Sequence, residues 1–162
     1  VYLTDLINII VRDAEFEGQL RRVSVTSTCP DEPVVIPGRE AWIASAIENV
    51  VRNAIRYSAA DSAVEVNLRT GADGTLIEVA DRGCGVPEAD LCRIFEPFYR
   101  VATARERESG GDGIGLAITA RVMQLHGGSA VAESRVGGGL LIRLWFPRAT
   151  ERDDVSAAVS QI

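Results

Sequence analysis

The sequence predicts an α+β fold, a two-layer sandwich in which helices cover a largely antiparallel sheet. Three observations carry this. Apolar residues recur at helical spacing in three separated stretches, over about residues 3–17, 39–57 and 114–126. Between and after them lie short stretches of strand length, two pairs of which are joined by glycine-bearing loops and read as hairpins. Finally, 162 residues make one domain. A chain of that size buries about two-thirds of its unfolded surface and needs no staples.

Taken in order, the first helix runs from Leu3 to about Glu17, with Leu6, Ile9, Ile10 and Ala14 as its apolar stripe and Gly18 as its stop. "RRVSVTS" alternates with period two and reads as a strand, and "PVVIP" as a short extended piece between prolines. A long helix covers about Arg39 to Tyr57. "AVEVNLRT" and "TLIEVAD" form a hairpin across "GADG". A short helix, Ala89 to Ile94, leads into "FEPFYR"; the polar, glycine-rich "VATARERESGGDG" follows as a mobile segment. Ile114 to His126 is a helix, and "SAVAES" with "LLIRLWF" closes the fold as a hairpin around "RVGGG". The domain is assigned to residues 1–147, and residues 148–162 are expected to be a poorly ordered tail.

Composition removes several function classes. All 17 basic residues are arginine. A P-loop needs a lysine on the phosphates and the protein-kinase fold needs a strand lysine, so neither is present; lysine Schiff-base chemistry is excluded too. The formal net charge of -6 leaves no overall basic footprint for nucleic acid. The cysteines, Cys29, Cys84 and Cys92, show no C-x-x-C pair, and the single His126 completes no zinc site of familiar spacing with them. They read as reduced and structural, which fits a cytoplasmic compartment. No apolar run approaches the roughly 18 residues of a membrane span. The chain opens on Val1 rather than methionine and reads as a fragment of something longer.

The stretch "ENVVRNAIRY", Glu48 to Tyr57, raises a specific question, because two asparagines are poor choices for a helix. On a wheel of about 100° per residue, Ile43, Ile47, Val50, Val51, Ala54 and Ile55 share the core-facing sector. Asn49, Asn53, Arg56 and Tyr57 share the opposite arc, and Glu48 points away from it. A solvated polar face is the plain interpretation. The sharper one is a phosphate and metal platform: a carboxamide oxygen is a neutral hard ligand that completes a Mg²⁺ shell, and arginine neutralises phosphate with paired hydrogen bonds.

Three further motifs are weak singly. In "DRGCG", Asp81 to Gly85, an aspartate at a strand end can accept from an exocyclic amine while Gly83 and Gly85 admit a flat base; a plain turn is the alternative. "GGDGIGLAI", Gly110 to Ile118, opens a helix with free N–H groups and the positive dipole end, an anion site. "FEPFYR", Phe95 to Arg100, is either a hydrophobic anchor or the start of a lid whose arginines, Arg100, Arg105 and Arg107, reach a phosphate tail.

The order of these motifs is far more specific than any one of them. It resembles the catalytic, ATP-binding domain of bacterial sensor histidine kinases, in the GHKL superfamily. "ENVVRNAIRYS" looks like the N box, "DRGCG" the first glycine box, "FEPFYR" the F box and "GDGIGL" the second glycine box. The resemblance covers about residues 1–147, and the N box wording is closest to envelope-stress sensors of the Cpx type.

The resemblance implies a left-handed β-α-β sandwich (the Bergerat fold), with a mixed, largely antiparallel sheet and helices on one face. It implies ATP and Mg²⁺ as cofactors. Asn53 would ligate Mg²⁺, with Asn49 near the phosphates and Arg56 facing them; Asn49, Arg56 and Arg100 are the catalytic candidates. Tyr57 and Phe98 would pack near the nucleotide, Asp81 would accept the adenine amino proton, and Gly83 and Gly85 would shape that pocket. Gly111, Gly113, Gly115 and Leu116 would form the hinge and phosphate end of the lid. The implied partners are a histidine-bearing dimerisation domain of the parent protein and a response regulator receiver domain downstream, with no nucleic acid and no membrane contact by this fragment. The implied setting is the cytoplasmic part of an inner-membrane sensor, the fragment itself being monomeric. His126, in "LHGGS", matches a helix-ending pattern rather than a phosphoacceptor. Hydrolase relatives place a water-activating glutamate four residues before the metal asparagine. Here that position is Asn49, so slow hydrolysis is expected; a serine kinase of the anti-sigma type and a non-catalytic nucleotide module are the other readings.

Overall fold

A computed structural model describes residues 1–101 and 112–148. Three helices, α1 (Leu3–Arg21), α2 (Glu40–Tyr57) and α3 (Gly115–Leu125), pack with the strands β1 (Val23–Thr28), β2 (Ser62–Thr70), β3 (Gly74–Ala80), β4 (Ser129–Ser134) and β5 (Leu140–Pro147). The strands form one sheet of order β1-β2-β3-β5-β4, parallel between β1 and β2 and antiparallel elsewhere. The expected two-layer α+β sandwich with a mixed, largely antiparallel sheet is therefore the fold.

The sheet's period-two pattern separates its faces. Val64, Val66, Leu68, Ile77, Val79, Ile142 and Leu144 point at the helices and are buried. Burying such side chains contributes about 1.5–3 kcal/mol each. The alternate residues form a charged lattice on the other face, where Arg143 pairs with both Glu78 and Glu133. Helix α2 sits centrally, touching α1, α3, β2 and β3. All six residues of its expected apolar sector are buried. Thr119 ties α3 to it, its fully buried hydroxyl lying 3.0 Å from the Ala46 carbonyl oxygen and 3.1 Å from that of Gly115.

Three expectations change. Helix α1 does not stop at Gly18 but continues to Arg21, where Arg22 turns left-handed at φ 58°. Gly18 serves packing instead: a Cβ there would sit 2.4 Å from the Val23 carbonyl oxygen, so only glycine lets β1 return so closely. The buried side of α1 is Leu3, Leu6, Ile7, Ile10 and Val11, whereas Ile9 faces outward. Ala89–Ile94 is not an α-helix but parts of two 3₁₀ turns, Glu88–Asp90 and Arg93–Phe95. Bounded by Pro87 and Pro97, the segment is too short to repay helix nucleation. Residues 149–162 of the tail expected at 148–162, and most of the lid segment, 102–111 with Gly111, Arg105 and Arg107, lie outside the described residues.

His126 is structural. Its Nδ1–H donates to the Val122 carbonyl at 2.7 Å, while Nε2 accepts the Arg39 backbone N–H at 3.3 Å. It thus joins the end of α3 to the start of α2, wedged edge-on between Trp42 and Phe146.

Candidate functional site

A cavity of about 530 Å³ opens between the C-terminal halves of α1 and α2, the turn after β3, and the start of α3. The α2 platform forms one wall. Asn49, Asn53, Arg56 and Tyr57 all line it, while Glu48 is exposed and does not. Asn49 is distinctive, since its Nδ2 is buried yet has no hydrogen-bond partner among the described residues. An unpaired buried amide costs about 1–3 kcal/mol, which singles this donor out on the cavity wall.

At one end of the cavity, Asp81 is 4% exposed and held by its neighbours. Its Oδ1 accepts the Gly83 N–H at 2.8 Å and the Leu140 N–H at 3.1 Å. Both donors converge on one oxygen, Oδ1. Burial pushes the carboxyl above its usual range; the two N–H groups and the Arg135 charge pull it back in part. Gly83 does not line the cavity. It sets the geometry from behind, bridging Ser58, and a Cβ on it would lie 2.2 Å from the Tyr57 carbonyl oxygen. Gly85, at φ 71°, is in the lining.

The start of α3 also lines the cavity, through Gly113, Gly115 and Leu116. Among the described residues no side-chain cap hydrogen bond is made at Ile114, and uncapped helix-start N–H groups can meet an anion. Gly115 abuts the platform, its virtual Cβ 3.4 Å from Asn49 Cγ and Oδ1. Gly113 takes φ 68° and its carbonyl accepts the Phe98 N–H at 2.9 Å, which joins the "FEPFYR" segment to the glycine turn.

Ten of the expected site residues meet at this cavity: Asn49, Asn53, Arg56, Tyr57, Asp81, Gly85, Arg100, Gly113, Gly115 and Leu116. Phe98 does not: its backbone is left-handed at φ 64°, and the ring turns out to 74% exposure. Tyr99 lines the cavity in its place, its hydroxyl donating to Asp90 Oδ1 at 2.6 Å while Arg93 stacks 4.2 Å from the ring centre. That hydrogen bond to a carboxylate raises the phenol. The sequence reading missed Glu17, Arg21 and Arg52. Arg52 pairs with Glu17 at 3.6 Å and Arg21 donates to the Arg56 carbonyl at 3.2 Å, so the end of α1 completes the rim. Arg52, one turn before Arg56, was findable on the wheel; nothing local marks Glu17 or Arg21. Among the described residues, no group of three His, Cys, Asp or Glu could hold a metal ion alone.

Residues 38–150 match the family model described as Histidine kinase-, DNA gyrase B-, and HSP90-like ATPase. The chain is 42% identical over 138 residues to the sensor histidine kinase CpxA of Escherichia coli, a match that covers 85% of this chain and 30% of the relative. The chain thus spans about a third of the length of that curated relative. Among solved structures, the ATP binding domain of PrrB from Mycobacterium tuberculosis superposes with a TM-score of 0.72 at 29% identity, covering 93% of this chain and 96% of that one. The mycobacterial sensor histidine kinase MprB shares the fold with a TM-score of 0.78 at 24% identity, covering 91% and 95%. With the motifs gathered around one cavity, the chain belongs to the histidine kinase-, DNA gyrase B- and HSP90-like ATPase family, on its sensor histidine kinase branch.

Proposed function

We propose that residues 1–147 bind Mg-ATP in this cavity and pass its γ-phosphoryl group to a histidine on a separate helical domain of the parent protein. The observation that supports this most is the pairing of opposite chemistries across one cavity: a buried carboxylate at one end, and carboxamides, arginines and an uncapped helix start at the other. Asp81 Oδ2 accepts the adenine amino group, and Tyr57 and Gly85 border the base. Asn53 completes the Mg²⁺ shell. Because no acidic cluster among the described residues could hold the ion alone, it comes with the phosphates, whose charge it neutralises when bound. Asn49 donates its amide, unpaired among the described residues, to the phosphate region. Arg56 and Arg100 neutralise phosphate oxygens, and the N–H groups at Gly113–Leu116 cradle them.

Phe98, Ile114 and Ile118 are exposed apolar side chains beside the phosphate end. They fit the docking of an apolar helix that carries the acceptor histidine. A response regulator then receives the phosphoryl group downstream, and the domain serves as the cytoplasmic part of an inner-membrane sensor. Hydrolysis stays slow because Glu48 faces away from the cavity and Asn49 stands where a water-activating carboxylate would be needed.

Mixing the chain with labelled ATP and a histidine-bearing helical domain of the CpxA type yields acid-labile phosphate on the helical domain. ATP turnover without such phosphate would replace the kinase reading by an ATPase one.

A further inference from the structure

Asp81 is gripped from the side of the sheet that the cavity does not reach. Arg135, where the β4–β5 turn begins, donates from Nη1 to the Asp81 carbonyl at 2.9 Å, and its Nη2 lies 3.6 Å from Glu65 Oε1. Its side chain is 17% exposed and does not line the cavity. The turn is shaped for this contact. Gly137, Gly138 and Gly139 all take left-handed φ, and a Cβ on Gly139 would lie 2.1 Å from the same Asp81 oxygen that Arg135 engages. The next residue, Leu140, donates its N–H to the Asp81 carboxylate and accepts the Asp81 N–H at 2.9 Å. One turn therefore holds Asp81 by its carbonyl, its amide and its carboxylate.

We propose that Arg135 is a positioning residue for nucleotide selection: it locks Asp81 from behind and supplies the positive charge that keeps its carboxylate an acceptor for adenine. This rests on the reading of Asp81 as the adenine contact. A buried carboxylate without a nearby cation favours its protonated form, and a protonated Oδ2 presents a donor and is a much weaker acceptor for an amine. Burial raises the Asp81 carboxyl overall; the Gly83 and Leu140 N–H groups act against that protonation, and the charge of Arg135 adds to them. The other titratable groups around it are Glu65 of β2, which pairs with Arg135, and Cys84, Tyr57 and Arg56, which line the same cavity as Asp81.

The test is calorimetric titration from pH 5 to 9 with ADP and with purine riboside diphosphate, which lacks the 6-amino group. Arg135→Met weakens ADP at neutral pH by about three- to tenfold, leaves the deamino analogue nearly unchanged, and moves the acid loss of ADP binding toward neutrality. Arg135→Lys restores both. Glu65→Gln, which removes the tempering charge, moves the acid limb the other way and carries the test alone should Arg135→Met not fold. Equal weakening of both nucleotides, or an unmoved acid limb in a native chain that discriminates them, overturns the role of Arg135. A native chain that binds both nucleotides equally removes the Asp81 reading, and this role with it.

Discussion

Gly83 lies flat against the carbonyl of Tyr57: a Cβ on it would come within 2.2 Å of that oxygen and 3.1 Å of Asp81 Oδ1. The contact locks the turn after β3 to the end of α2, so the carboxylate and the asparagine platform share one frame. Gly83→Ala must push these backbones apart, at a cost of about 1–3 kcal/mol. We expect a melting temperature lower by several degrees and a clear loss of ADP affinity together. Native values for both, by calorimetry, would mean the turn can yield without disturbing the site.

Asp81→Asn separates binding from stability. Its Oδ1 can still accept from Gly83 and Leu140, but the atom facing the cavity becomes a donor opposed to the adenine amine. ADP binding falls by about tenfold to a hundredfold, the worth of a charged hydrogen bond. Stability goes the other way. Burial holds the folded carboxyl above its unfolded value, so the folded state binds the proton more readily and the native chain loses stability as pH rises through that window. At neutral pH the variant escapes this penalty and melts no lower than the native chain. Its relative advantage shrinks as pH falls through the raised folded value toward the unfolded one. A variant less stable at pH 7 than at pH 4, relative to native, would contradict the assigned direction.

The residues legible in the sequence were those whose partners are local. The wheel of α2 placed Asn49 and Asn53 opposite Ile47 and Val51, because a helix repeats its geometry every few residues. The hairpin β2–β3 was legible because its loop carries glycine between two apolar runs. What escaped depends on distant backbone. Gly18 looks like a helix stop until β1 is seen returning within reach of it. Phe98 and Tyr99 are equally aromatic in the sequence; the hydrogen bond from Phe98 to Gly113 decides which ring faces the cavity. Arg135 looked like one more charge before a glycine turn, and only the fold sets it behind Asp81.

Thr119 is the hydroxyl that fastens the glycine-rich start of α3 to α2. Thr119→Val keeps the shape and leaves the Ala46 carbonyl without this partner, at a cost of about 1–2 kcal/mol. The loosening should appear as faster amide exchange in the first turn of α3, where the N–H groups proposed to cradle phosphate lie, and as weaker ADP binding. Thr119→Ser restores both. Unchanged exchange in α3 would show that packing around Met123 and Val122 holds the helix unaided.

Asn49→Ala gives the sharpest contrast between the apo and bound states. In the apo protein the change removes a buried amide that lacks a partner among the described residues and introduces the best helix former in mid-helix. Apo stability should therefore rise by about 1 kcal/mol. If the amide exists to meet phosphate, the same variant loses much of the stabilisation that Mg-ADP confers on the native chain. The measurement is a pair of thermal melts, with and without saturating Mg-ADP. A solvated polar face makes a different forecast, because an amide already met by water would leave both melts close to native. Apo stabilisation with a native Mg-ADP increment would separate the cases further: Asn49 would then be a buried helix residue, with Asn53 alone carrying the metal.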